Sequence, residues 1–297
     1  MKQKALLSAL TAAWLLIGGT AHAAEQATLD KIRSSAVINL GVRESSIPFS
    51  YYDNNQKTIG YSQDIAMKIV DAIKAKYNLP NLTVRLIPIT SQNRIPLVQN
   101  GTIDLECGST THTFARDNQA AFSTNIFLYG IRFITKSNSG IKDFGDLAGK
   151  VVATTAGTSD ERMLRMMNEK DHMNMEIISA KDHAESFLNV QTGRAVAFVM
   201  DEPLLYGERA KVKNPEDYAV RGTPPVTENY ACMMRKDPEF KAFVDNVITT
   251  METSGEALKL YDKWFTQPIP PNNMNLRYPL SQELKELFAH PNDKAYD

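Results

Sequence analysis

Residues 36–77 read AVINLGVRESSIPFSYYDNNQKTIGYSQDIAMKIVDAIKAKY, and this stretch decides the fold class. Apolar Ala36, Ile38, Leu40 and Val42 recur at every second position, the period of a strand. Pro48 and the polar run Asp53-Asn54-Asn55-Gln56 then break the pattern. Beyond Gly60-Tyr61-Ser62, the residues Ile65, Ile69, Ala72, Ile73 and Lys76 follow helical spacing, with Asp64 in the first turn where the helix dipole favours an acid. Strand followed by helix is the opening of an α/β unit.

The same grammar continues outward. Residues 82–89 read as a strand, 94–100 as a short helix closed by Gly101, and 103–107 as another strand. A second pass follows, with strands expected at 127–135, 151–154, 175–178 and 195–200, and helices at 159–168, 184–192 and 201–211. Residues 142–147 form a short helix or turn, 230–234 a further strand, and 238–265 helices. Such alternation predicts largely parallel sheets covered on both faces, first in one lobe and then in a second, with strand 230–234 left over to return to the first. The tail from Pro268, rich in Pro and Asn, is expected to wrap the surface without regular structure.

Upstream, Lys2 and Lys4 precede an apolar run over 5–17 and the small-residue sequence Ala21-His22-Ala23. That layout is a secretory signal peptide with cleavage expected after Ala23. The run is shorter than the ~20 apolar residues a bilayer crossing needs. No Cys follows the cleavage site to accept a lipid, so a freely soluble exported protein is expected.

With 33 basic and 34 acidic residues, the chain has no electrostatic footprint for nucleic acid or an anionic membrane. Its length of 297 residues exceeds the common size of one domain, and a 43% apolar content suffices for packed cores. Cys107 and Cys232, the only cysteines, permit one disulfide in an oxidising compartment or two buried thiols, and cannot build a structural zinc site alone. Neither a metal nor a cofactor is expected. The sequence contains no GxSxG, HExxH, GxxxxGKS/T or GxGxxG motif, which argues for binding rather than catalysis.

Several local sequences, in order and spacing, resemble the extracellular solute-binding proteins of polar amino-acid uptake, in particular the glutamate/aspartate branch. They are 41–50 (GVRESSIPFS), 60–64 (GYSQD), 90–96 (TSQNRIP), 106–111 (ECGSTT), 121–123 (AFS), 157–159 (GTS), 180–183 (AKDH) and 198–201 (FVMD). The resemblance implies a two-lobed, type II periplasmic-binding-protein (Venus flytrap) α/β fold with hinge strands near Tyr129 and Tyr230. Lobe 1 would comprise 24–128 and 231–297, the latter including the tail, and lobe 2 would comprise 129–230. It further implies a monomeric periplasmic protein that delivers glutamate or aspartate to the membrane permease of an ABC transporter. A dehydratase-like enzyme on the same fold, or a chemosensory co-receptor for a polar amino acid, is the alternative.

Arg43, Arg94 and Arg116 lie in loops after strands or at helix starts, and a planar guanidinium grips a carboxylate through paired hydrogen bonds. One such group serves a neutral amino acid, so the others call for a second carboxylate on the guest. By resemblance Arg116 takes the α-carboxylate and Arg43 and Arg94 the side-chain carboxylate. Ser91, Ser109 and Thr111 add hydroxyl or backbone donors, and Ser159 opens a helix whose free amides favour an anion. Asp201, at the end of an apolar strand, is assigned to the ammonium, and His183 matches a ligand-contacting histidine. Capping is the competing role for Ser91, Ser159 and Asp201. His22, His112, His172 and His290 are taken as structural or exposed.

Overall fold

The computed structural model describes residues 27–296, so the leader expected over 1–23 lies outside the described residues. No helix among the described residues is long and apolar enough to cross a membrane. The described residues open with α1 (Thr28–Ser35) and β1 (Val37–Val42), then a small sheet of β2 (Ser45–Ser46), β3 (Ser50–Tyr52) and β4 (Thr58–Ile59). Next come α2 (Tyr61–Tyr77), β5 (Thr83–Pro88), α3 (Arg94–Gln99), β6 (Leu105–Glu106) and α4 (Phe114–Asp117). The long β7 (Ala121–Lys136) leads into β8 (Val151–Thr155), α5 (Ser159–Lys170), β9 (Glu176–Ala180), α6 (His183–Gln191), β10 (Ala197–Asp201), α7 (Glu202–Lys211) and β11 (Tyr218–Arg221). The last elements are β12 (Thr227–Met234), α8 (Pro238–Thr253), α9 (Glu256–Tyr261) and α10 (Gln282–Ala289).

The main sheet runs β5-β1-β6-β12-β7-β10-β8-β9, with β11 also on β7. It divides within β7. Residues from Ala121 to Gly130 pair with β12, whereas Ile131 to Thr135 pair with β10 and Phe133 to Lys136 with β11. The expected parallel pairing holds in each half, where β1 joins β5 and β6, and β8 joins β9 and β10. It fails at the centre, where β12 and β7 pair antiparallel with each other and with the strands beside them. The reason is that β7 carries the chain into the second half as one continuous strand and β12 brings it back alongside. Gly130, at the changeover, faces Pro224 so closely that a Cβ would come within 2.7 Å of its ring.

Helix α2 shows how local pattern becomes packing. Tyr61, Ile65, Ala66, Ile69, Val70 and Ile73 are buried at three- and four-residue spacing. Each large aliphatic side chain removed from water contributes about 1.5–3 kcal/mol. The helix ends at Asn78, whose left-handed conformation returns its N–H to the Lys74 carbonyl. One apolar cluster then continues from α1 and α2 through the hinge rings to Phe187, Phe198 and Leu204 in the second half. At its centre Phe49 meets Phe127 edge-on at 5.0 Å and Tyr230 at 4.9 Å, an arrangement that suits the ring quadrupoles. Smaller clusters lie in the second half around Phe133 and Leu164, and in the first around Val98 and Met233.

Of the two states open to the cysteines, the structure has the disulfide, Cys107–Cys232, with Cα atoms 4.3 Å apart. The bridge fastens the end of β6 to the returning strand β12. The structure overturns the expectation for the tail. Helix α10 buries Leu284, Leu287 and Phe288 and is capped by Ser281, whose Oγ accepts from the Leu284 N–H at 3.1 Å. Beyond it the chain lies across the hinge, where Asn125 N–H donates to the Asn292 carbonyl at 2.8 Å and the Asn229 amide to the Lys294 carbonyl at 3.0 Å.

Candidate ligand-binding site

All nine expected residues are buried where the two halves meet. Arg43 follows β1, Arg94 opens α3, Arg116 sits in α4, and Ser109 and Thr111 lie in the loop after β6. Backbone and hydroxyl acceptors hold the guanidinium groups in place. Arg94 Nη1 donates to the Ser109 carbonyl at 2.9 Å and to Thr110 Oγ1 at 2.6 Å, and Arg116 Nη1 donates to the Thr111 carbonyl at 2.8 Å. The Thr110 hydroxyl in turn donates to Glu106 Oε2 at 2.6 Å, so Glu106 braces Arg94 through one hydroxyl. Burial, and next the charge of Arg43, brings Arg94 down to about 10; burial and then Arg94 bring Arg116 to about 10. Both remain charged at neutral pH.

His183 is the second half's contribution to Arg43. Its Nε2 lies 3.3 Å from Arg43 Nη2 and its Nδ1 3.0 Å from Thr155 Oγ1. A guanidinium only donates, so Nε2 accepts and the ring proton sits on Nδ1. Burial, followed by the charges of Arg43 and Arg94, holds this histidine well below its ordinary range, so it is neutral. It accepts from Arg43 and brings no charge of its own.

The facing wall is acidic. Asp201 ends β10 without capping α7; its Oδ2 instead accepts the phenolic proton of Tyr230. Glu228 Oε2 accepts from Ser159 Oγ and from Tyr129 OH, each at 3.0 Å, and Thr111 Oγ1 lies 3.0 Å from Ser159 Oγ. Thr158, not Ser159, caps α5, its Oγ1 accepting from Glu161 N–H at 3.1 Å, which leaves the Ser159 hydroxyl for this network. Ser91 makes no capping bond either.

Several buried atoms here have no hydrogen-bond partner among the described residues: Arg43 Nη1, Arg94 Nε, the hydroxyls of Ser91 and Ser109, Asp201 Oδ1 and both Asp160 oxygens. A buried polar group left unmatched costs about 1–3 kcal/mol. Donors on one wall and acceptors on the other are what a small zwitterion with anionic and cationic ends would satisfy.

Asp160, Glu228, Glu106 and Thr110 were not singled out from sequence as site residues. Glu106 and Thr110 lie within 106–111 (ECGSTT), where nothing in the spacing marks them. Asp160 looks like an ordinary first-turn acid, and Glu228 reaches the site through the register of β12 on β7, where it faces Tyr129. No local signal announces either.

Residues 38–267 match the model of the bacterial extracellular solute-binding proteins, family 3. The chain belongs to this family. It is 56% identical to the glutamate/aspartate import solute-binding protein of Salmonella typhimurium, over 97% of this chain and 99% of that one. It is also 56% identical to the L-glutamate/L-aspartate-binding protein of Pseudomonas aeruginosa, over 90% and 89%. Among solved structures, an ancestral amino acid-binding protein that is a precursor of cyclohexadienyl dehydratase superposes with a TM-score of 0.70 at 28% identity, covering 80% of this chain and all of the other. A mutant of ArgBP from T. maritima does so at 0.71 and 26%, over 80% and 98%. These likenesses agree with the two-lobed solute-binding fold.

Proposed function

We propose that this member of the solute-binding family captures L-glutamate or L-aspartate between its lobes outside the cytoplasm and presents it to the permease of an ABC importer. In this reading Arg116 takes the α-carboxylate, Arg43 and Arg94 the side-chain carboxylate, and Asp201 the ammonium, while Ser91, Ser109, Thr111 and Ser159 add neutral contacts. His183 acts through Arg43. Residues 24–128 and 231–297 form one lobe and 129–230 the other, closing as a monomer.

The observation that carries this reading is the trio of buried arginines, two of which keep N–H groups without a partner among the described residues, opposite buried carboxylates. The near-full-length relatives named for glutamate and aspartate support it. Hydrogen bonds to charged groups contribute ~1.5–3 kcal/mol each, and micromolar affinity needs only ~8 kcal/mol in total. Selectivity for acid over amide follows from the penalty of leaving a buried guanidinium without its anion. Calorimetric titration with glutamate, aspartate and glutamine is the direct test, with both acids expected to bind far more tightly. Equal affinity for glutamine overturns the acidic guest. Mass spectrometry of the guest released by denaturation distinguishes capture from catalysis, since a binding protein returns it unaltered.

A further inference from the structure

Resting on that binding function, we propose that Asp160 and Asp201 share one proton, which the ammonium group of the guest displaces into solvent on capture. Asp160 is the second residue of α5 and is wholly buried, and no donor from another described residue meets either of its carboxyl oxygens. Asp201 is buried at the end of β10, with Oδ2 engaged by Tyr230 and Oδ1 unengaged. Asp160 stands where β8 gives way to α5, and Asp201 ends β10, the parallel neighbour of β8, so both carboxyl groups lie at the same end of adjacent strands and act directly on each other. Two carboxylates are both acceptors, so only a proton can join them.

The surroundings favour keeping that proton. Burial, and then the neighbouring carboxylates of Asp201 and Glu228, push Asp160 well above the usual carboxylate range; burial and then Glu228 bring Asp201 to about 7. The groups facing the pair are Glu228 and Tyr230 from β12, Tyr129 from β7, Arg116 from α4, Arg94 from α3 and Arg43 after β1. The arginines oppose the shift without cancelling it. Because β8 leads into α5 and also pairs with β10, both aspartates belong to the same half of the sheet. Their contact therefore does not depend on how far the two halves are apart.

An ammonium entering beside the pair supplies the positive charge and the donors that both carboxylates need. It thereby favours the doubly ionised state, and the shared proton leaves. Asp160 is in this sense a specificity-determining residue: it adds a second acceptor for the cationic end of the guest and makes capture sensitive to acidity.

The test is calorimetric titration of the protein with L-glutamate at pH 7 in phosphate and in Tris, whose ionisation heats differ. The expected result is a buffer-dependent enthalpy corresponding to release of up to about one proton per guest, with affinity falling by up to about tenfold per pH unit between pH 8 and pH 6. Asp160→Asn, whose amide can donate to Asp201, should abolish the buffer dependence and flatten the pH profile, as should Asp160→Ser. The same enthalpy in both buffers for the unsubstituted protein overturns the proposal, and that measurement decides it even where the variants do not fold. Undiminished proton release in the two folded variants overturns the role of Asp160. Binding without proton release leaves the acidic-guest function standing, whereas no heat with either acid at any pH removes both.

Discussion

The phenol of Tyr230 donates to Oδ2 of Asp201, tying the strand that returns through the hinge directly to the carboxyl end of β10. The same ring packs 4.9 Å from Phe49 and 4.3 Å from Tyr129, so the hydroxyl is held by aromatic contacts on both sides. Tyr230→Phe keeps this packing and removes only the donor. We expect roughly tenfold weaker glutamate binding, about 1.4 kcal/mol, with the melting temperature little changed. The lost donor stabilised ionised Asp201, so the weakening of capture in acid should also begin at a higher pH in the variant. Calorimetry across pH 6–8 measures both effects.

Gly207 of α7 lies so near the Ile47 carbonyl that no side chain fits between them. Gly207 follows β10 and Ile47 follows β2, so the contact joins the two halves of the structure. Gly207→Val is therefore expected to leave each half folded while lowering glutamate affinity by about tenfold or more. Unaltered affinity in that variant would count against closure at this contact.

The Cys107–Cys232 bridge spans a sequence separation of 125 residues. Closing so long a loop in the unfolded chain stabilises the native state by roughly 4–5 kcal/mol in the chain-entropy model. Reduction, or the Cys107→Ser/Cys232→Ser double substitution, should lower the melting temperature accordingly. The denatured, unreduced protein should show no free thiol.

Glu252 in α8 is 4% exposed, and neither carboxylate oxygen has a hydrogen-bond partner among the described residues. Burial raises its pKa from 4.5 to about 9. A carboxyl that is neutral when folded and ionised when unfolded contributes its full stability below the unfolded value and loses it as pH rises toward the folded one. Stability should therefore decline between about pH 4.5 and 9 on account of this residue. Glu252→Met, similar in size and without polar oxygens, should stabilise the protein by roughly 1–3 kcal/mol at pH 8 and have little effect at pH 4. Urea unfolding at the two pH values provides the comparison.

The succession of elements and the placing of charged side chains at their ends can be read from local pattern alone. Alternation over 36–42 and helical spacing over 61–77 reflect which side chains face a core, and burial imposes that period locally. The arginines and Asp201 were legible for a related reason: they lie where strands stop or helices begin, and the resemblance to a family named their roles. Helix α10 was masked by the Pro and Asn residues over 268–275, although Ser281, Leu284, Leu287 and Phe288 carry a capping and spacing signal. The remaining contacts exist only in the folded chain. Folding placed Tyr129 against Glu228, 99 residues away, and Glu228 against Ser159, 69 residues away; it also turned His183 into a neutral prop for Arg43. Such pairings follow from the register of β7 on β12 and from the seating of one half on the other. Both depend on contacts summed over the whole chain, which no local period records.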